Sequence, residues 1–142
     1  MAKIKVKGTS QVLNRLRNIS KEAELSVKSS VVRNTDQIYA QALSNVPVLD
    51  GYLRGSGNTS YLNNQLTGVV AFGGNAAPYA PYVEFGTGSG VVIPQGFSDY
   101  AMQFYVNGKG TMKAQPYLIP AYLKYKKVFL NDLRKIAKNI SK

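Results

Sequence analysis

The residues with chemistry in them cluster at one place. In "YAPYVEFGTGSG", residues 79–90, Glu84 stands among Tyr79, Tyr82 and Phe85 and runs into Gly86-Thr87-Gly88-Ser89-Gly90. A glycine-rich turn of this kind suggests a phosphate cradle. A Walker-type loop, however, carries lysine and serine or threonine after its last glycine and then opens a helix. Here no lysine follows until Lys109, and Val91-Val92-Ile93-Pro94 does not open one. The dinucleotide fingerprint fails on the spacing of its third glycine. Nucleotide binding is therefore not expected, and no cofactor of any kind is implied.

The other reactive types are sparse. The chain has no histidine and no cysteine, which removes the usual general base, the commonest metal ligand, the thiol nucleophile and any disulfide framework. Of the acids, Asp50 and Glu84 alone sit in glycine-rich, aromatic surroundings, and a carboxylate pair with separated pKa values can run acid–base chemistry. No nucleophile stands beside a base. Asp50 before Gly51 reads as turn chemistry, and Glu84 reads as a buried or interfacial partner for Arg54. The expectation is that this is not an enzyme and holds no metal.

Charge says more. Eighteen basic residues face seven acids, for a net charge of +11. Lys3, Lys5, Lys7, Arg15 and Arg17 crowd one end; Lys124, Lys126, Lys127, Arg134, Lys135, Lys138 and Lys142 crowd the other against Asp132 alone. Such ends attract an acidic protein surface or nucleic acid. Non-specific DNA binding through these two segments is the alternative function. No motif for sequence-specific recognition is present. The last helix, basic and apolar on opposite sides, reads as a core helix rather than one lying on a membrane. No run is long and apolar enough to span a bilayer, and the first residues lack the apolar centre of a signal peptide.

The elements that must position these groups follow from periodicity. Lys3 to Lys7 alternates as an edge strand, and a short helix is expected between Thr9 or Ser10 and Ile19. From Lys21 to about Ser44 neither glycine nor proline intervenes, and Ala23, Val27, Val31, Ile38 and Ala42 mark one face of a long helix ended by Pro47. Thr59–Asn63 and Leu66–Phe72 read as a hairpin turning at Asn63-Asn64-Gln65. Tyr79–Phe85 suits one or two helical turns on the sheet. Residues 86–115 read as a long glycine-rich, flexible insertion loop, with a short helix near Asp99–Tyr105. After Pro116 and Pro120, Leu118, Tyr122, Tyr125, Phe129, Leu133, Ile136 and Ile140 recur at three and four residues, the core face of a C-terminal helix. The expected architecture is one α+β domain over 1–142, its small, mainly antiparallel sheet packed by the long helix of the N-terminal half and by the C-terminal helix.

Three segments in order, "VPVLDGYLRGS" at 46–56, "YAPYVEFGT" at 79–87 and "QPYLIPA" at 115–121, resemble the head–tail joining proteins of long-tailed bacteriophages, also called neck, tail-completion or connector proteins. The resemblance spans about residues 9–140. It implies a non-enzymatic virion protein at the head–tail junction, present in the host cytoplasm during assembly. It also implies a homo-oligomeric ring, hexameric or similar, between neighbouring neck and tail-tube proteins, with non-specific contact to DNA in the channel and no membrane partner. The residues it singles out as fold-defining or subunit-contacting are Arg54, Tyr79, Tyr82, Glu84, Phe85, Gly86 and Thr87. The insertion, above all Tyr100, Phe104 and Tyr105, becomes the contact with the next ring, and the glycines of 86–90 its hinge.

Overall fold

A computed structural model describes residues 2–7, 21–48, 51–103 and 109–140. The helix expected between Thr9 and Ile19 lies outside these residues. Strand β1 is Ala2–Lys7, helix α1 Lys21–Asn45, α2 Tyr52–Gly55, β2 Asn58–Leu62, β3 Thr67–Phe72, α3 Ala80–Phe85, α4 Ser98–Met102 and α5 Leu118–Ile140. A single 3₁₀ turn occupies Gly88–Gly90. The strands form one antiparallel sheet in the order β1-β3-β2, with Ile4 opposite Val70 and Thr59 opposite the same residue from the other side. This is the α+β architecture read from the sequence.

The hairpin joining β2 to β3 turns through three consecutive left-handed residues, Asn63 (φ 54), Asn64 (φ 56) and Gln65 (φ 66). Asparagine tolerates this region better than most side chains. Asn63 Nδ2 also donates to Thr67 Oγ1 at 3.0 Å, bracing the turn.

Helix α1 forms because its first turn carries Glu22 and Glu24 at the positive end of the helix dipole and nothing interrupts it for 25 residues. Its buried face is Ala23, Val27, Val31, Ile38 and Ala42, with Ser30, Asn34 and Thr35 buried between them. That face meets α5 in the most extensive contact between elements of the fold, and it crosses β3 as well. The crossing needs Gly68: a Cβ there would stand 1.8 Å from Thr35 Oγ1. Val70 and Phe72 of β3 enter the core beside Val27, Val31 and Ile38 of α1 and Leu118, Phe129 and Leu133 of α5. A second, smaller cluster joins Phe85, Ala101 and Ile119, with Ile4 and Phe97 packed on it. It fixes α3, α4 and the start of α5 against β1.

Candidate functional site

The geometry centres on the start of α5. A helix leaves the amides of its N-cap and first three residues without intrahelical acceptors. Here those residues are Tyr117, Leu118, Ile119 and Pro120, and proline has no N–H to satisfy. One carboxylate serves the other three. Tyr117 N and Leu118 N donate to Glu84 Oε2 at 2.9 and 3.0 Å, and Ile119 N donates to Glu84 Oε1 at 2.9 Å. Glu84 is 2% exposed, so these bonds are made out of water. Burial pushes its carboxyl above the ordinary carboxylate range, and the three amides pull the other way without cancelling the rise.

Tyr117 ties this cap to the rest of the core. Its ring meets Phe72 edge-on at 5.3 Å, its hydroxyl donates to Ala80 O at 3.3 Å, and its carbonyl accepts from Asn45 Nδ2 at 3.2 Å. Leu53 of α2 lies in the same cluster as Tyr117, Ala80 and Val83. Ser56 Oγ donates to Leu53 O at 2.6 Å and accepts from Gly73 N at 2.9 Å, which fastens the end of the first segment to the end of β3. The segments 79–87 and 115–121 therefore meet at one knot, and 46–56 joins them through the main core, where Val46 and Leu53 are buried.

The glycine run continues the knot. Thr87 N donates to Met112 O at 2.9 Å, Met112 N to Thr87 Oγ1 at 3.1 Å, Ala114 N to Gly90 O at 3.2 Å and Gln115 N to Val83 O at 2.8 Å. The outgoing and returning legs of the insertion are thus laced backbone to backbone. A Cβ on Gly86 would come within 2.3 Å of Gly90 O, one on Gly88 within 2.1 Å of Gly110 O, and one on Gly90 within 2.1 Å of Met112 O. The hinge reading of 86–90 is corrected by these distances: the glycines allow close backbone approach, and Gly86 and Gly88 are buried. Part of 86–115 also packs on the core. Ala101 of α4 is fully buried, and Phe97 meets Tyr122 edge-on at 6.3 Å.

The expected Glu84–Arg54 pair is absent. Arg54 is exposed on α2, and the ion pairs among the described residues are Lys28–Glu24 and Arg33–Asp132. Glu84 takes backbone donors in place of a guanidinium. Phe85 is 1% exposed and Thr87 half-buried at the lacing; Tyr79 and Tyr82 are half-buried, Tyr79 against the main core. Phe104 and Tyr105, and the side chain of Tyr100, lie outside the described residues, as does Asp50. The described part of the insertion does expose Val92, Ile93, Met102 and Met112.

One feature escaped the sequence reading. Asp132 of α5 accepts from Ser30 Oγ at 3.0 Å, Asn34 Nδ2 at 2.9 Å and Arg33 Nη2, a polar lock inside the α1–α5 interface. Burial alone would raise its pKa, yet the bonds from Asn34, Arg33 and Ser30 and the Arg33 charge hold it below the ordinary value. The available signal was serine and asparagine at stripe positions 30 and 34. The face of α5 turned away from the core is the basic side read from the sequence. Lys124, Lys127, Arg134, Lys135 and Lys138 are all exposed there, while Asp132, the only acid of that helix, points at α1.

Among the described residues no group of acids could hold a metal ion, and no helix is long and apolar enough to cross a membrane. Comparison with protein-family models, curated proteins and solved structures finds no match.

Proposed function

We propose that this chain is a structural virion protein of the phage head–tail junction, a ring-forming neck, tail-completion or tail-terminator component that joins the capsid to the tail. The observation that carries the reading is the convergence of two of the resembling segments on the cap of α5, with the third packed into the same core. Segments that merely shared composition with that family would have no reason to interlock; these supply the carboxylate, the amides and the packing of a single knot. The commitment of Glu84 to backbone donors also favours an architectural role over acid–base work. A ring needs one patch on each subunit to fit a different patch on the next. The exposed Val92, Ile93, Met102 and Met112 of the insertion offer apolar surface for such a contact.

The test is assembly. Purified chain, examined by light scattering and electron microscopy, is expected to form closed rings of a single copy number and to restore joining when added to separately prepared heads and tails lacking it. A chain that stays monomeric at every accessible concentration and leaves heads and tails apart overturns the reading.

A further inference from the structure

The cations of α5 are arranged, not scattered. Lys124, Lys127, Arg134, Lys135 and Lys138 follow one another at intervals that, with 3.6 residues per turn, keep them within an arc of about 100° on the side opposite Leu118, Phe129 and Leu133. From Lys124 to Lys138 the stripe is about 21 Å long at a rise of about 1.5 Å per residue. No acid stands on it. Arg134 Nη1 donates to Asn131 Oδ1 at 3.1 Å, and Lys124 Nζ donates to Gln41 Oε1 at 3.2 Å, so these two heads meet neutral oxygens.

We propose that the outward face of α5 is a docking stripe for the phosphate backbone of duplex nucleic acid. This deepens the alternative of non-specific DNA binding by confining it to one face of one helix, and it stands without the junction reading. What the stripe lacks decides among anionic partners. A protein interface draws its energy from a desolvated aromatic or apolar centre, and the centre of this stripe is lysine and arginine. Single-stranded nucleic acid is held by base stacking on aromatic rings; Tyr122, Tyr125 and Phe129 turn towards the core instead. An amphipathic helix on a lipid surface inserts its apolar face, and the apolar face of α5 is covered by α1 and the sheet. A row of exposed cations along one helix matches the remaining case, in which cations displace counterions condensed on a regular line of phosphates. The recognition is without sequence preference, since the chain carries no motif for sequence-specific readout and the stripe is matched to phosphates rather than to one base pattern.

The experiment is fluorescence anisotropy of the full chain with a labelled 25-base-pair duplex of arbitrary sequence, between 50 and 200 mM salt. With about five phosphates neutralised per chain, the slope of log affinity against log salt is about −4.5, a loss of about 500-fold over that range. The paired substitution Lys127→Ala with Lys135→Ala is expected to make the slope shallower by about 1.8, to roughly 40-fold over the same range. Lys109→Ala with Lys113→Ala removes the same charge from exposed positions of the insertion, and is expected to leave the slope unchanged. All four side chains are exposed, so circular dichroism melts should coincide with wild type and exclude misfolding. The proposal is overturned if no binding is seen at 50 mM salt, or if the two pairs weaken binding alike. It is equally overturned if poly-glutamate binds more tightly than the duplex at equal charge concentration, which would assign the stripe to an acidic protein. Ring formation is a separate readout, so either reading can fail without the other.

Discussion

Removing the Glu84 carboxylate should cost this fold a large part of its stability. In Glu84→Ala, the amides of Tyr117, Leu118 and Ile119 lose acceptors that stand 2.9–3.0 Å away in a site closed to water. A buried donor left unsatisfied costs about 1–3 kcal/mol, and three of them, with a small cavity, come to about 6 kcal/mol. Burying the carboxylate has its own penalty, which the alanine variant no longer carries; recovering about 2 kcal/mol leaves a net loss of about 4 kcal/mol. Domains of this kind are stable by only about 5–15 kcal/mol. In urea, with a slope near 2 kcal/mol per molar, the midpoint should fall by about 2 M. Glu84→Gln is the milder probe. It keeps one oxygen for Tyr117 and Leu118 but turns an NH₂ on the amide of Ile119, for a loss of about 3 kcal/mol. The unfolding curve is read by far-ultraviolet circular dichroism, and amide exchange at residues 117–119 should speed up in both variants. A midpoint within about 0.5 M of wild type in either variant, with exchange at these amides unchanged, would refute the capping account.

Two more expectations rest on the same distances. Gly88→Ala places a Cβ 2.1 Å from Gly110 O at a φ of +51, and should destabilise the fold by about 2–4 kcal/mol with faster proteolysis between residues 86 and 115. Gly74→Ala, at φ +81 but facing open space, should cost only about 1 kcal/mol; equal effects at the two sites would show that strain, not close approach, governs the lacing. Asp132→Asn should cost about 1–2 kcal/mol at neutral pH. Because the folded pKa of Asp132 lies below its ordinary value, its contribution is complete above that ordinary value and is lost as pH falls through the folded one. The gap between variant and wild type should therefore close in acid. Glu84 has the opposite sign: its raised pKa favours the fold at low pH, and that contribution is lost as pH rises through the folded value. A gap that widens in acid would refute the Asp132 assignment.

The two long helices were legible because hydrophobic periodicity is written in side chains, and α1 and α5 end close to where Pro47 and the Leu118–Ile140 stripe place them. The hairpin was legible from Asn63-Asn64. What Glu84 touches was not. Charge complementarity pointed to Arg54, but the donors are main-chain amides 33 or more residues along, and backbone groups have no letter in a sequence. The glycines misled for a related reason. A glycine read alone signals freedom, and only the returning segment, residues 109–115, reveals that the missing Cβ makes room for another backbone. The Asp132 lock hid because Ser30 and Asn34 look like blemishes in an apolar stripe until a partner helix brings the carboxylate to them.

Because Glu84 grips the start of α5, both ends of the excursion between them are pinned, and its length is nearly free. Doubling a flexible segment between fixed ends costs only about 0.6 kcal/mol of closure entropy, a small fraction of what the cap contributes. Extra residues spliced between Gln103 and Lys109 would leave α4 on its cluster and the legs laced. The framework and the segment it displays can thus change independently, so that a new partner can be met by rewriting a short tract of chain while the rest of the molecule stays as it is.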